Sequence, residues 1–187
     1  FSLETVLNKI PKVKSDIAQF CFEGSIDPLR GKKEHKLLMA IAIFPKSPVR
    51  TAIAVVSGLA NDPIAVEEGL AQLQKLSLLR MHNNRYEILP LTREYALSEL
   101  ATHPQFEQEA RSRWVTWYLD FTKEYAGKDW KEWYIPYDRI EDEWENLLAV
   151  FDWCAAHEEY TIVQAFWQER YLVKFAHIYG YWDDRLI

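Results

Sequence analysis

Asn61–Leu89 reads NDPIAVEEGLAQLQKLSLLRMHNNRYEIL, and its pattern changes period once. In the first half, Val66, Leu70, Leu73 and Leu76 step by four, three and three, which is the spacing of one face of an α-helix. Asn61 or Asp62 stands where an N-cap is needed. Pro63 suits the first turn, because the N–H it lacks would have no helical partner there. In the second half, Ser77–Met81 and Arg85–Leu89 read as strands flanking His82-Asn83-Asn84, a turn in which asparagine tolerates positive φ.

The flanks complete a unit. Upstream, Glu34–Phe44 is apolar almost all round from Leu37 onward, so this helix must be buried on most sides, and Pro45 ends it. Pro48 opens a further helix, Thr51–Ser57, that stops at Gly58. Downstream, Leu91–Ala101 is helical in pattern. Three helices, a short hairpin and a closing helix predict a winged helix-turn-helix over residues 32–103. Ahead of it, Ser2–Leu29 reads as two short helices broken at Pro11. With the solvated turn at Gly31-Lys32-Lys33, residues 1–31 are expected to be the end of a preceding helical domain.

Composition shifts at Thr102-His103-Pro104-Gln105. Residues 1–101 hold 13 Lys/Arg against 11 Asp/Glu, residues 102–187 hold 9 against 17, and all eight Trp lie between Trp114 and Trp182. Such a shift marks a domain boundary. Beyond it, Phe106, Ala110, Trp114, Trp117, Phe121 and Tyr125 share a helical face. After an irregular stretch at Gly127–Pro136, so do Ile140, Trp144, Leu147, Phe151 and Cys154. A helix from Thr161 to Ile178 ends at Gly180. Residues 104–187 therefore predict a helical bundle or a truncated tetratricopeptide-like solenoid arm, without a strict internal sequence repeat. The fold class is mainly α. Phe166, Trp167, Tyr171, Phe175 and Trp182 put apolar surface on more than one face near the end, which predicts self-association through the C-terminal helices.

The bulk properties narrow the function. The chain begins at Phe1 with an amphipathic pattern unlike a secretion signal, so an excised segment of a longer protein is expected. No apolar run reaches a membrane-spanning length, and no membrane partner is expected. Cys21 and Cys154 are far apart, with no zinc spacing and no disulfide framework, in keeping with a cytoplasmic protein. No GxxxxGK[ST] phosphate loop occurs. At His157-Glu158-Glu159-Tyr160-Thr161, Thr161 stands where a zinc-protease helix needs its second histidine, so a helix end facing water is the better reading. The acidic run Asp138–Glu145 reads as a solvated face at a helix N-terminus. With no catalytic constellation and no metal set, this chain is not expected to be an enzyme. A winged helix raises DNA binding through its third helix. Here Glu67 and Glu68 occupy the end that would read bases, and Lys75, Arg80 and Arg85 are too few for strong phosphate contact, so DNA is not the expected partner.

Leu37–Phe44, EGLAQLQKLSLL (Glu68–Leu79) and YEILPLTREYA (Tyr86–Ala96) resemble the winged-helix domain of NB-ARC ATPases, of the STAND class of signal-transduction ATPases. IAQFCFEGSIDPL resembles the end of the helical domain that precedes it in bacterial members, and RIEDEWENLLAVFDWCAAH the start of a tetratricopeptide-like arm. The resemblance implies a regulatory region that relays nucleotide state between a nucleotide-binding domain upstream in the same chain and an arm receiving a protein or small-ligand signal. ATP or ADP with Mg²⁺ would be bound by the full-length protein and no cofactor by this segment. It also implies an ADP-contacting histidine at the end of the second wing strand, where this sequence has Leu89 in Ile88-Leu89-Pro90. The alternative is a winged-helix DNA-binding transcription regulator with a helical sensing domain.

Overall fold

A computed structural model describes residues 24, 26–126, 134–168, 172, 175, 176 and 179–181. The helices expected within 2–29 lie outside these residues, except for a 3₁₀ turn at Asp27–Leu29. The described chain is mainly helical with one two-stranded sheet. It divides into two compact units, Phe1–Ile43 with Ser47–Ala110, and Phe44–Lys46 with Arg111–Ile187.

The first unit is built around α1 (Lys33–Ala42), which buries Leu37 through Ala42 without interruption. A helix apolar all round needs cover on every side. It is surrounded by α2 (Arg50–Ser57), α3 (Pro63–Lys75) and α4 (Pro90–Ala101). On α4, Arg93 donates Nε to the Ala42 carbonyl at 3.0 Å, satisfying a carbonyl in the last turn of α1. Gly58, with φ 78°, closes α2, and Leu59 N–H donates back to Ala54 O at 2.9 Å. Ser77 takes the same left-handed role after α3 at φ 59°, with Leu78 N–H on Leu73 O at 3.0 Å.

The hairpin pairs β1 (Leu79–His82) with β2 (Arg85–Ile88), antiparallel, with Leu79 opposite Ile88 and His82 opposite Arg85. Its turn is two residues, not three: Asn83 and Asn84 both have positive φ (50° and 59°), the combination that suits the twist of a tight hairpin. Ser77 and Leu78 belong to the turn closing α3, so the first strand starts two residues later than the alternation suggests. On its other edge, β2 meets the chain ahead of α2: Tyr86 N–H donates to Pro48 O at 2.9 Å, and Val49 bridges Arg85.

In the second unit, α5 (Pro104–Ala126) buries Trp114, Tyr118 and Thr122 along one face. Phe44 packs edge-on to Trp114 and Tyr118 at 6.4 and 6.3 Å. The helix expected through Ile140 and Cys154 is two helices, α6 (Tyr134–Asp142) and α7 (Trp144–Ala156), which break at Glu143. Glu143 is not part of a solvated face. It is buried, accepting from Tyr118 Oη at 2.6 Å and Asn146 Nδ2 at 2.7 Å, while Asp138, Glu141, Asp142 and Glu145 stay exposed. α8 (Tyr160–Gln168) packs Phe166 on Phe151 of α7 at 4.9 Å. Of the apolar residues expected to self-associate, Phe166 and Phe175 are buried within the chain, and Tyr171 and Trp182 lie outside the described residues.

Candidate functional site: the outer face of the third helix

The position of α3 is set by one close approach. Gly69 faces α1 so tightly that a Cβ there would lie 2.4 Å from Leu37 Cδ1. Ala65, Val66, Leu70 and Leu73 bury the rest of that face. Asp62 caps the helix by accepting from Ala65 N–H at 2.9 Å, with Pro63 in the first turn.

The outer face carries Ile64 (70% exposed), Glu67, Glu68, Ala71 and Lys75. Both carboxylates are met by cations from other helices, Glu67 by Arg50 of α2 at 3.7 Å and Glu68 by Lys33 of α1. The hydrogen bond to Glu68 raises the Lys33 ammonium pKa above its ordinary value. Exposed pairs of this kind are weak and screened by salt. They nonetheless occupy two cations beside the outer face of α3. Sequence reasoning did not find Lys33 and Arg50, because ion pairs spanning 35 and 17 residues leave no periodic trace.

The hairpin adds little positive charge. Arg80 lies opposite Glu87, and Arg85 donates Nη1 to the Ser47 carbonyl at 2.8 Å, holding the edge of the hairpin to the preceding chain. Met81 is 53% exposed. Leu89 is the half-buried N-cap of α4, and its carbonyl accepts from Arg93 N–H at 2.8 Å. Its side chain brings no polar atom to the end of β2.

His157 is the exposed residue closing α7, its ring stacked on Trp153 at 4.2 Å with Nδ1 on the Trp153 carbonyl. Cys154 is buried, and desolvation, with Glu159 adding to it, pushes its thiol up to about 11. Among the described residues, no group of His, Cys, Asp and Glu could hold a metal ion, and no helix is long and apolar enough to cross a membrane.

No protein-family model matches the chain, and no solved structure matches it. It is similar to the transcription activator GutR of Bacillus subtilis (strain 168), with 24% identity over 139 residues. The match covers 68% of this chain and 16% of GutR, so the chain spans a small part of that protein's length. This finding corrects the resemblance to NB-ARC and STAND-class ATPases, and with it the expected ATP and ADP binding: the similar protein is a transcription activator. The structure supplies a physical reason for the misreading. The segments that carried the resemblance contribute Leu37, Leu38, Leu70, Leu73, Tyr86 and Ala96 to one core, so their apolar spacing reports packing and not nucleotide contact. The nucleotide-sensing role implied for Leu89 rested on that family.

Proposed function

We propose that the chain is a non-catalytic section of a transcription regulator, in which a winged helix over residues 32–103 is followed by a helical sensing arm over 104–187. In this reading α2 and α3 are the helix-turn-helix, β1 and β2 are the wing, and the chain at Pro48-Val49 is the short third strand against β2. The similarity to a transcription activator supports the regulatory role. DNA is then a partner of the intact protein, and a protein or small ligand is the signal for the arm.

The observation that decides how this section acts is the outer face of α3. Glu67 and Glu68 stand where a DNA-reading helix presents donors and cations, and Arg50 and Lys33 are engaged with them. A surface of this charge repels phosphate and suits a protein contact, so α3 of this section faces protein. The second reading, that α3 itself reads DNA, is favoured by the order of helices and hairpin, since this architecture places its third helix in the major groove.

Titration of random and genomic duplexes at physiological salt separates the two. Protein-facing α3 predicts non-specific binding, with Kd on the order of 10⁻⁴ M or weaker. The double substitution Glu67→Gln and Glu68→Gln should then raise affinity for all sequences alike. Sub-micromolar, sequence-dependent binding by the unaltered chain would reject this account of α3.

A further inference from the structure

The first unit carries a second charged constellation, built on a single carboxylate. Arg30 follows the turn Asp27–Leu29 and precedes Gly31, whose φ of 77° directs the chain into α1. Its guanidinium grips Glu99 of α4 with Nη2 on Oε1 at 2.9 Å and Nε on Oε2 at 3.3 Å, while Nη1 pairs with Asp27 at 2.8 Å. His35, in the first turn of α1, places Nε2 3.1 Å from Glu99 Oε2. The Tyr95 hydroxyl donates to Oε1 at 3.3 Å and accepts from Arg30 Nη2 at 3.2 Å. His103, between α4 and α5, extends the set: its ring stands edge-on to His35 at 5.4 Å, and its Nδ1 lies 2.9 Å from Glu99 O.

One carboxylate thus takes hydrogen bonds from the segment leading into the unit, from its central helix and from the helix that leads out of it. His35 is buried and the Glu99 side chain is 13% exposed, so neither can exchange these partners for water while the helices stay packed. We propose that Glu99 is a latch through which the segment leading into the unit and the α4–α5 junction open together. The reasoning follows from what is left behind. If Arg30 is drawn away with the leading segment, Glu99 keeps its negative charge but loses the guanidinium that pairs with it. Burial holds the His35 imidazole below its ordinary pKa, so a second cation is not supplied there. The carboxylate then gains by reaching water, and the last turn of α4, with His103 bonded to its backbone, moves with it. Displacement at one end of the unit, where Ile26 and Leu29 anchor the segment in the core, is passed to the other through Glu99. The latch stands whether α3 meets protein or DNA.

Backbone amides on each side give the readout. Arg30 N–H and Lys32 N–H are bonded to Ile26 O and Leu29 O at the leading side, and Thr102 N–H and His103 N–H to Glu99 O and Leu100 O at the other. Ile53 N–H, on Val49 O, serves as a control within α2. In hydrogen exchange on the whole chain, Arg30→Gln should speed exchange at Thr102 and His103 by about tenfold, as loss of a charged hydrogen bond implies, and leave Ile53 unchanged. Glu99→Gln should release both sides, and Arg30→Lys should restore part of the protection. Faster exchange confined to Arg30 and Lys32, or an equal rise at Ile53, would overturn the latch. The first would show a local contact and the second a general loss of stability.

Discussion

The close approach of α3 to α1 makes a prediction whose sign depends on the partner residue. Gly69→Ala adds a methyl group 2.4 Å from Leu37 Cδ1, and Leu37 is fully buried, so it can move only by disturbing its neighbours. Overpacking of this kind costs about 1–3 kcal/mol, against which the better helix propensity of alanine contributes about 1 kcal/mol. The net expectation is a loss of about 1 kcal/mol. Leu37→Ala alone should cost about 3 kcal/mol, as for other fully buried leucines. In that background the clashing atom is gone, and only the propensity gain of about 1 kcal/mol remains for Gly69→Ala. The substitution should therefore destabilise the natural chain and stabilise the Leu37→Ala chain. That is a coupling of about 2 kcal/mol, well beyond the scatter for independent sites. All eight Trp lie between 114 and 182, so tryptophan fluorescence is a poor reporter of this unit. Native-state hydrogen exchange of the α1 amides reads it directly, at about tenfold in protection per 1.4 kcal/mol. If Gly69→Ala raised protection equally in both backgrounds, the packing argument that positions α3 would be wrong.

Four further outcomes follow from individual contacts. Ser77→Gly should stabilise the first unit by about 0.5–1 kcal/mol, measured by the same exchange, because serine at φ 59° carries a steric cost that glycine lacks. Acidification should weaken this unit in two stages. Burial lowers the His35 pKa despite the opposing pull of Glu99, with His103 and Arg30 also facing it, so its contribution is complete above about 6.5 and is lost as pH falls below that value. Hydrogen bonds from Arg30 and His35 outweigh burial at Glu99 and hold its carboxyl below the ordinary value, so its contribution is lost only at pH below about 4.5; exchange against pH should show both, and His35→Gln should remove the first. Tyr118→Phe should cost about 1–3 kcal/mol by depriving the buried Glu143 of a donor, which thermal unfolding followed by the summed tryptophan fluorescence can register. Cys154 should resist alkylation at neutral pH in the native chain and react only on unfolding, as seen by mass spectrometry.

The elements that were legible are those with local causes. Leu37–Ala42 could only be a buried helix, which ends two residues before the expected Phe44, Asp62-Pro63 could only start one, and Asn83-Asn84 fits a tight turn by its tolerance of positive φ. Errors arose where a distant partner decides. Glu143 sits in an acidic run and reads as solvated, yet Tyr118, 25 residues earlier, gives it a reason to be buried and to break the helix around it. Arg30, His35 and Glu99 converge from 64 to 69 residues apart, with no spacing that announces them. The paired state of Glu67 and Glu68 was equally hidden, although their presence at the reading end was visible from the sequence alone. The family resemblance erred for the opposite reason, since short apolar patterns that make one core are shared by unrelated functions.

The central claim is that α3 serves a transcription regulator as a protein-facing surface. In cells expressing the intact protein, promoter occupancy by crosslinking and transcript output can be measured together for the natural sequence and for Glu67→Gln with Glu68→Gln, which removes the carboxylates without adding cations. The account predicts that output changes several-fold, far beyond any change in occupancy, since these carboxylates meet protein and not bases. An occupancy that shifts to new sequences or collapses, with output following it in proportion, would contradict it and assign α3 to DNA.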